Sequence, residues 1–189
     1  MKATSYTDRS DRKGKTQLGG QRRKSLTPAA GAGLTIRLQT ILVPVDFSEH
    51  TRKALHYAQA FAEQFGAKIV LVHVVEPNVV PDNFGIVPPA YDEMNGVLVQ
   101  TAQQRLGQLA LETAGNKLSA RPIVVTGRAP WEIVRIARET EAELIIVTTH
   151  GYTGLKHVLL GSTAELIIRH APCPVLTVRP VEHDFVGAR

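Results

Sequence analysis

The amino-acid sequence predicts an open, doubly wound α/β domain: a five-stranded parallel sheet with helices on both faces. Three observations carry this expectation. Five short runs of aliphatic and β-branched residues recur between Thr40 and Val178, too continuously apolar to leave one face wet. Four segments with helical periodicity alternate with them. Strand–helix–strand steps in that order close with right-handed crossovers, which makes the sheet parallel and covers both faces.

The elements follow in order. Thr40-Ile41-Leu42-Val43-Pro44-Val45 is the first buried strand. Asp46-Phe47-Ser48 leads out of it, and Ser48 is placed to cap a helix reaching Phe65, with Ala54, Leu55, Ala58, Phe61, Ala62 and Phe65 on one face. Gly66 ends that helix. Lys68 to Val75 is the second strand, and a Pro-rich connection (Pro77, Pro81, Pro88, Pro89) follows, long enough to suggest a lid or binding loop. Tyr91 to Ala114 reads as helix. Pro122 to Thr126 is the third strand, and Pro130 opens the next helix, with Ile133, Val134, Ile136 and Ala137 inward. Glu143 to Thr148 is the fourth strand. Ser162 and Glu165 have capping-box spacing at the start of the last helix, and Pro174 to Val178 is the fifth strand. The whole is a Rossmann-like order.

Charge divides the chain. Of its 189 residues, 1–37 carry nine Lys/Arg against two acids, a balance of +7, while 38–189 carry 13 against 15, a balance of −2. The basic stretch holds almost no large apolar side chains, so residues 1–37 are expected to form a disordered extension. Residues 38–180 form the domain and 181–189 a short C-terminal tail. A nearly neutral domain argues against nucleic-acid binding by the folded part. No run approaches the roughly 18 apolar residues of a membrane span. The single cysteine, Cys173, excludes an internal disulfide and any multi-cysteine metal site, and suits a cytoplasmic location.

Ligands of such sheets bind beyond the carboxyl ends of strands, where the strand order reverses. Two strand exits are chemically distinctive: Pro44-Val45-Asp46-Phe47-Ser48 after the first, and Thr148-Thr149-His150-Gly151 after the fourth. Beyond the fourth, Gly161-Ser162-Thr163 opens a helix, where unpaired N–H donors and the dipole favour a phosphate. Physics alone leaves two readings open here, a phosphate cradle or a helix cap with turn glycines. No Gly-Lys-Ser/Thr occurs, and no Gly-x-Gly-x-x-Gly follows the first strand, so neither common phosphate-binding fingerprint applies.

Asp46-Phe47-Ser48, His73-Val74, the run from Gly151 to Ser162 and the ending Arg169-His170-Ala171-Pro172-Cys173-Pro174-Val175-Leu176 resemble the universal stress protein family over about Leu38 to Pro180. Its nucleotide-binding members carry Gly, two residues, Gly, nine residues, then Gly with Ser or Thr. Gly151, residues 152–160 and Gly161-Ser162 match that spacing, and Thr148 replaces the first glycine. The resemblance implies ATP, with Mg2+, bound across the switch point. Asp46 would accept from the ribose hydroxyls or act through magnesium and water, with Pro44 and Val45 beside it. Val74 would offer backbone groups to the adenine edge. His150, Gly151, Gly161, Ser162 and Thr163 would hold the phosphates, and Thr148, where its Cβ does not crowd the site, would donate to a phosphate or ribose oxygen. The bland alternatives are a helix-start residue for Asp46, a core strand residue for Val74, and a loop histidine bonded to its own backbone for His150.

Other candidates carry less. The remaining loop and helix histidines (His50, His56, His157, His170, His183) lack metal-ligand spacing, and no metal site is expected. Cys173 reads as a packed small residue and Trp131 as a helix–sheet packing anchor. Arg128, ahead of a helix, is expected in solvent unless it reaches a phosphate. The resulting expectation is a nucleotide-dependent stress-response module that is not an enzyme, a homodimer through the last strand. The rival is a nucleotide-free dimeric adapter whose site Thr148 has closed. An adenylating enzyme ranks last, because the first strand exit lacks a Ser/Gly-rich pyrophosphate loop.

Overall fold

A computed structural model describes residues 35–77, 90–115, 117–149, 160–179, 184 and 186. The basic extension up to residue 34, the Pro-rich connection over 78–89, and the segment with His150 and Gly151 lie outside the described residues. The compact unit that carries the sheet runs from Ile36 to Arg189.

The chain alternates β1 (Thr40–Pro44), α1 (Glu49–Phe65), β2 (Lys68–Val75), α2 (Ala90–Ala114), β3 (Ala120–Thr126), α3 (Ala129–Glu139), β4 (Leu144–Thr148), α4 (Ser162–His170) and β5 (Val175–Val178). All five strands are parallel, in the order β3-β2-β1-β4-β5. After β3 the chain returns to the other side of β1, so the order reverses between β1 and β4. The sheet is open, and both of its edges are free of a sixth strand among the described residues.

Side-chain alternation along the strands splits the core in two. Ile41, Val43, Val45, Ile69, Leu71 and Ile146 face α1 and α2, with Ala54, Ala58, Ala62, Leu106 and Ala110 packed on them. Leu42, Val70, Val72, Ile145 and Val147 face α3 and α4, with Ile133, Ala137, Ala164 and Ile167 opposite. Gly66 closes α1 in the left-handed conformation (φ 70°), and its N–H reaches the Ala62 carbonyl at 2.8 Å. Val186 packs against the first core, and its carbonyl lies 3.3 Å from His56 Nε2.

Several local expectations are corrected. Phe65 is exposed, and the large ring buried under α1 is Tyr57. β3 begins two residues early, and Arg121 and Pro122 are exposed because it is an edge strand and not a doubly covered one. Trp131 is 43 % exposed; its ring lies against His170 at 4.8 Å, so it bridges α3 and α4 at the surface and does not anchor a helix to the sheet. The Ser162–Glu165 capping box does not form. Gly161 is the cap residue, no side chain among the described residues caps α4, and Glu165 pairs with Arg169 instead.

Candidate functional site

At the reversal point the exits of β1 and β4 lie side by side. Asp46, one residue past Val45, turns its carboxylate back on its own loop. Oδ1 accepts the Ser48 N–H at 2.9 Å, the Ser48 hydroxyl at 2.6 Å and the Thr51 hydroxyl at 2.6 Å. Ser48 stands at the cap position of α1 but makes no side-chain cap; its hydroxyl is turned toward Asp46 and donates to it. Burial alone would raise the Asp46 pKa, but the Ser48 and Thr51 hydroxyls and the backbone N–H donors outweigh it and hold the acid below 3.8. No described residue donates to Oδ2, which leaves a charged oxygen available to a ligand. The turn that aims it is strained, because Phe47 takes a left-handed conformation (φ 60°). Its ring is held by His73 at 4.5 Å and by the Arg105 guanidinium 4.1 Å above it. His73 in turn donates from Nδ1 to the Val45 carbonyl at 2.7 Å.

Across the reversal, Thr148 ends β4 in register with Val178 and is half-buried. Its backbone is not left-handed, so the position does not demand glycine for its φ. Thr149 is buried; its N–H bonds the Val178 carbonyl at 3.0 Å, and its own carbonyl accepts the Gly161 N–H at 2.9 Å. That last bond seats the start of α4 on the end of β4. The approach is close: a Cβ on Gly161 would come within 3.1 Å of the Thr149 carbonyl oxygen. The first intrahelical bond of α4 runs from the Glu165 N–H to the Gly161 carbonyl. The N–H groups of Ser162, Thr163 and Ala164 therefore have no intrahelical partner, as the opening turn of a helix requires.

The third wall comes from β2 and α3. Val72 and Val74 alternate onto the same side, and Ala129 and Ile133 close over them. Glu76, just past β2, accepts the Ala129 N–H through Oε1 at 2.7 Å and so caps α3 from 53 residues away. The walls enclose a cavity of about 380 Å³, the size of a small-molecule site. Pro44, Val45, Asp46, Val74, Thr148, Gly161, Ser162 and Thr163 all line it. Eight of the ten residues singled out from the sequence are thus brought together; His150 and Gly151 lie outside the described residues.

Residues that sequence reasoning passed over also line it: Val72, Glu76, Ala129, Ile133, Thr149 and Ile167. Val72 and Glu76 were accessible through the period-two alternation about Val74. Ile133 required knowing that α3 lies over β2. A larger recess, about 450 Å³, lies between α1 and α2 and is lined by Phe47, Leu55 and exposed side chains such as Arg52, Arg105 and Glu112. The strand-exit cavity is nonetheless the better site, because main-chain donors and a free carboxylate oxygen converge there. Arg128 is exposed beside it, and Cys173 is half-buried, its thiol pKa raised by burial and by the Glu143 charge. Among the described residues, no three His, Cys, Asp or Glu side chains cluster as a metal site would need, and no described helix is long and apolar enough to cross a membrane.

Comparison with known proteins covers the same span. Residues 37–179 match the family model of the universal stress protein family. A universal stress protein of Thermus aquaticus is 32% identical over 141 residues, 75% of this chain and 98% of that protein. One of Methanocaldococcus jannaschii is 29% identical over 158 residues, 77% of this chain and 98% of that protein. Its solved structure shares the fold at a TM-score of 0.69 and 30% identity, over 78% of this chain and 100% of that one. An Archaeoglobus fulgidus member was solved in complex with dAMP (20% identity, TM-score 0.52, 75% of this chain and 98% of that one). Another universal stress protein was solved in complex with cAMP (24% identity, TM-score 0.50, 77% and 100%). This chain belongs to the universal stress protein family.

Proposed function

We propose that the strand-exit cavity binds ATP with Mg2+, and that the bound nucleotide sets the state of a cytoplasmic stress-response module. One observation carries the reading. The N–H groups at the start of α4, without an intrahelical partner, and the free Oδ2 of Asp46 open into one cavity with an apolar slot of Val72, Val74 and Ile133 on its β2 side. Those three chemistries are what a phosphate chain, a ribose and a purine ask for. Val72, Val74 and Ile133 offer the base a dry slot, with Val74 backbone groups at its edge. Asp46 Oδ2 accepts from ribose hydroxyls or from water on magnesium. Ser162 and Thr163 hold phosphate oxygens through N–H and hydroxyl groups. The dAMP and cAMP complexes of two family members support adenine as the base.

The site reads as a binding site and not a catalytic one. A carboxylate held below its ordinary pKa is a poor general base, and Asp46 already spends one oxygen on its own loop. We further propose a homodimer through β5, an edge strand whose outer side would otherwise be an open template.

Calorimetric titration of ATP with magnesium into the full chain, with AMP as comparison, tests the reading. Micromolar binding that favours ATP is expected. No binding at high protein concentration would overturn it, and the nucleotide-free dimeric adapter, its site closed by Thr148, would take its place.

A further inference from the structure

The strand-exit cavity opens beside a second recess of about 530 Å³. The two share Glu76, Ser162 and Thr163, and the second adds Gly127, Arg128 and Leu166 to its walls. The opening turn of α4 therefore stands between them. Asp46, Val74 and Thr148 line the first alone, and Arg128 lines the second alone.

Arg128 supplies a charge that the first cavity lacks. Among the described residues lining the two recesses, it is the one Lys or Arg, set against the carboxylates of Asp46 and Glu76. Its backbone is held on both sides. The Gly127 N–H donates to the Val75 carbonyl at 3.1 Å, and the Ala129 N–H to Glu76 Oε1 at 2.7 Å. The Arg128 carbonyl accepts the Trp131 and Glu132 N–H groups, both at 3.1 Å. Its side chain is exposed, and no described residue forms a hydrogen bond or ion pair with the guanidinium. A fixed anchor thus carries a free cationic fork, whose planar donors match phosphate oxygens.

We propose that Arg128 reads the length of the phosphate chain, binding the distal phosphates of a nucleotide whose first phosphate sits on the α4 amides. The inference rests on the nucleotide reading of the strand-exit cavity and names the residue that makes that site prefer a triphosphate. A monophosphate ends at Ser162 and Thr163. A longer chain passes them into the second recess and comes within reach of the guanidinium. Water competes for an exposed arginine, so the gain for ATP over AMP is about tenfold and not more.

The test is titration of AMP, ADP and ATP, with magnesium, into the full chain and into Arg128→Gln and Arg128→Lys. The side chain makes no contact that the fold uses, so both variants should melt with the wild type. The wild-type chain should bind ATP about tenfold more tightly than AMP. Arg128→Gln should bring that ratio to within about twofold of one by weakening ATP while AMP holds. Arg128→Lys, which keeps the charge without the fork, should retain part of the preference. A wild-type ATP/AMP ratio retained in Arg128→Gln, whether or not both affinities fall, would overturn the role of Arg128 and leave the nucleotide reading standing. Equal wild-type affinity for ATP and AMP would do the same. Failure of the wild-type chain to bind any of the three nucleotides would overturn both.

Discussion

Asp46 and Phe47 are adjacent residues under opposite constraints. Asp46 is stabilised as an anion by three donors to one oxygen, so its folded pKa lies below 3.8. A depressed acid contributes stability that is present above its unfolded pKa, about 3.9, and is lost as pH falls through the folded value. Asp46→Asn keeps an acceptor but loses the charge, and should cost about 1 kcal/mol at pH 7. The gap between wild type and variant should close as pH drops below about 4, a trend that denaturant melts at several pH values would follow. Phe47 pays the left-handed penalty of about 1–2 kcal/mol for a non-glycine residue, offset by His73 and Arg105 against its ring. Phe47→Ala keeps the strain and loses the contacts, so it should destabilise by about 2–3 kcal/mol. Phe47→Gly should be about 1 kcal/mol less harmful than Ala, and a thermal melt ranking Ala above Gly would contradict the strain. Asp46 was legible in the sequence as a strand-exit acid. The positive φ of Phe47 was not, because an aromatic residue gives no signal for a conformation that glycine and asparagine normally occupy.

Elements were legible where burial dictates their pattern and obscure where polar groups choose among partners. β1, β2 and β4 are almost wholly covered, and their aliphatic runs place them to within a residue or two. Helix starts were harder, since the same Ser, Thr and Asp types serve caps, turns and ligand contacts. Ser48 gives its hydroxyl to Asp46, Ser162 caps nothing, and α3 takes its cap from Glu76 in a distant strand exit. The opening of α4 is where an element meets function. Gly161→Ala adds a Cβ 3.1 Å from the Thr149 carbonyl, which must give way by a few tenths of an ångström. The variant should lose about 1 kcal/mol of stability and bind ATP roughly tenfold more weakly, since the Ser162 and Thr163 amides move with the helix start. Melting curves and calorimetry on the same preparation separate the two effects.

At the scale of the whole molecule, alternation of strands and helices foretold a doubly wound sheet, but strand order depends on crossovers that no local pattern encodes. The order β3-β2-β1-β4-β5 brings residues from three distant segments, Asp46, Glu76 and Ser162, around one cavity. The same order leaves β5 at an edge. The Pro174 and Val178 carbonyls accept bonds from β4, so parallel pairing turns the Val175 and Thr177 amides outward. If the dimer forms there, Thr177→Pro should shift the species seen by light scattering from twice 20.6 kDa to 20.6 kDa while the β4 pairing persists. The central claim is that the reversal point between β1 and β4 is the nucleotide site, and a crystal structure of the chain grown with ATP and magnesium tests it most directly. The account predicts the purine between Val74 and Ile133 and phosphate oxygens at the Ser162 and Thr163 amides. Nucleotide seated instead in the recess between α1 and α2, with the strand exits of β1 and β4 untouched, would contradict it.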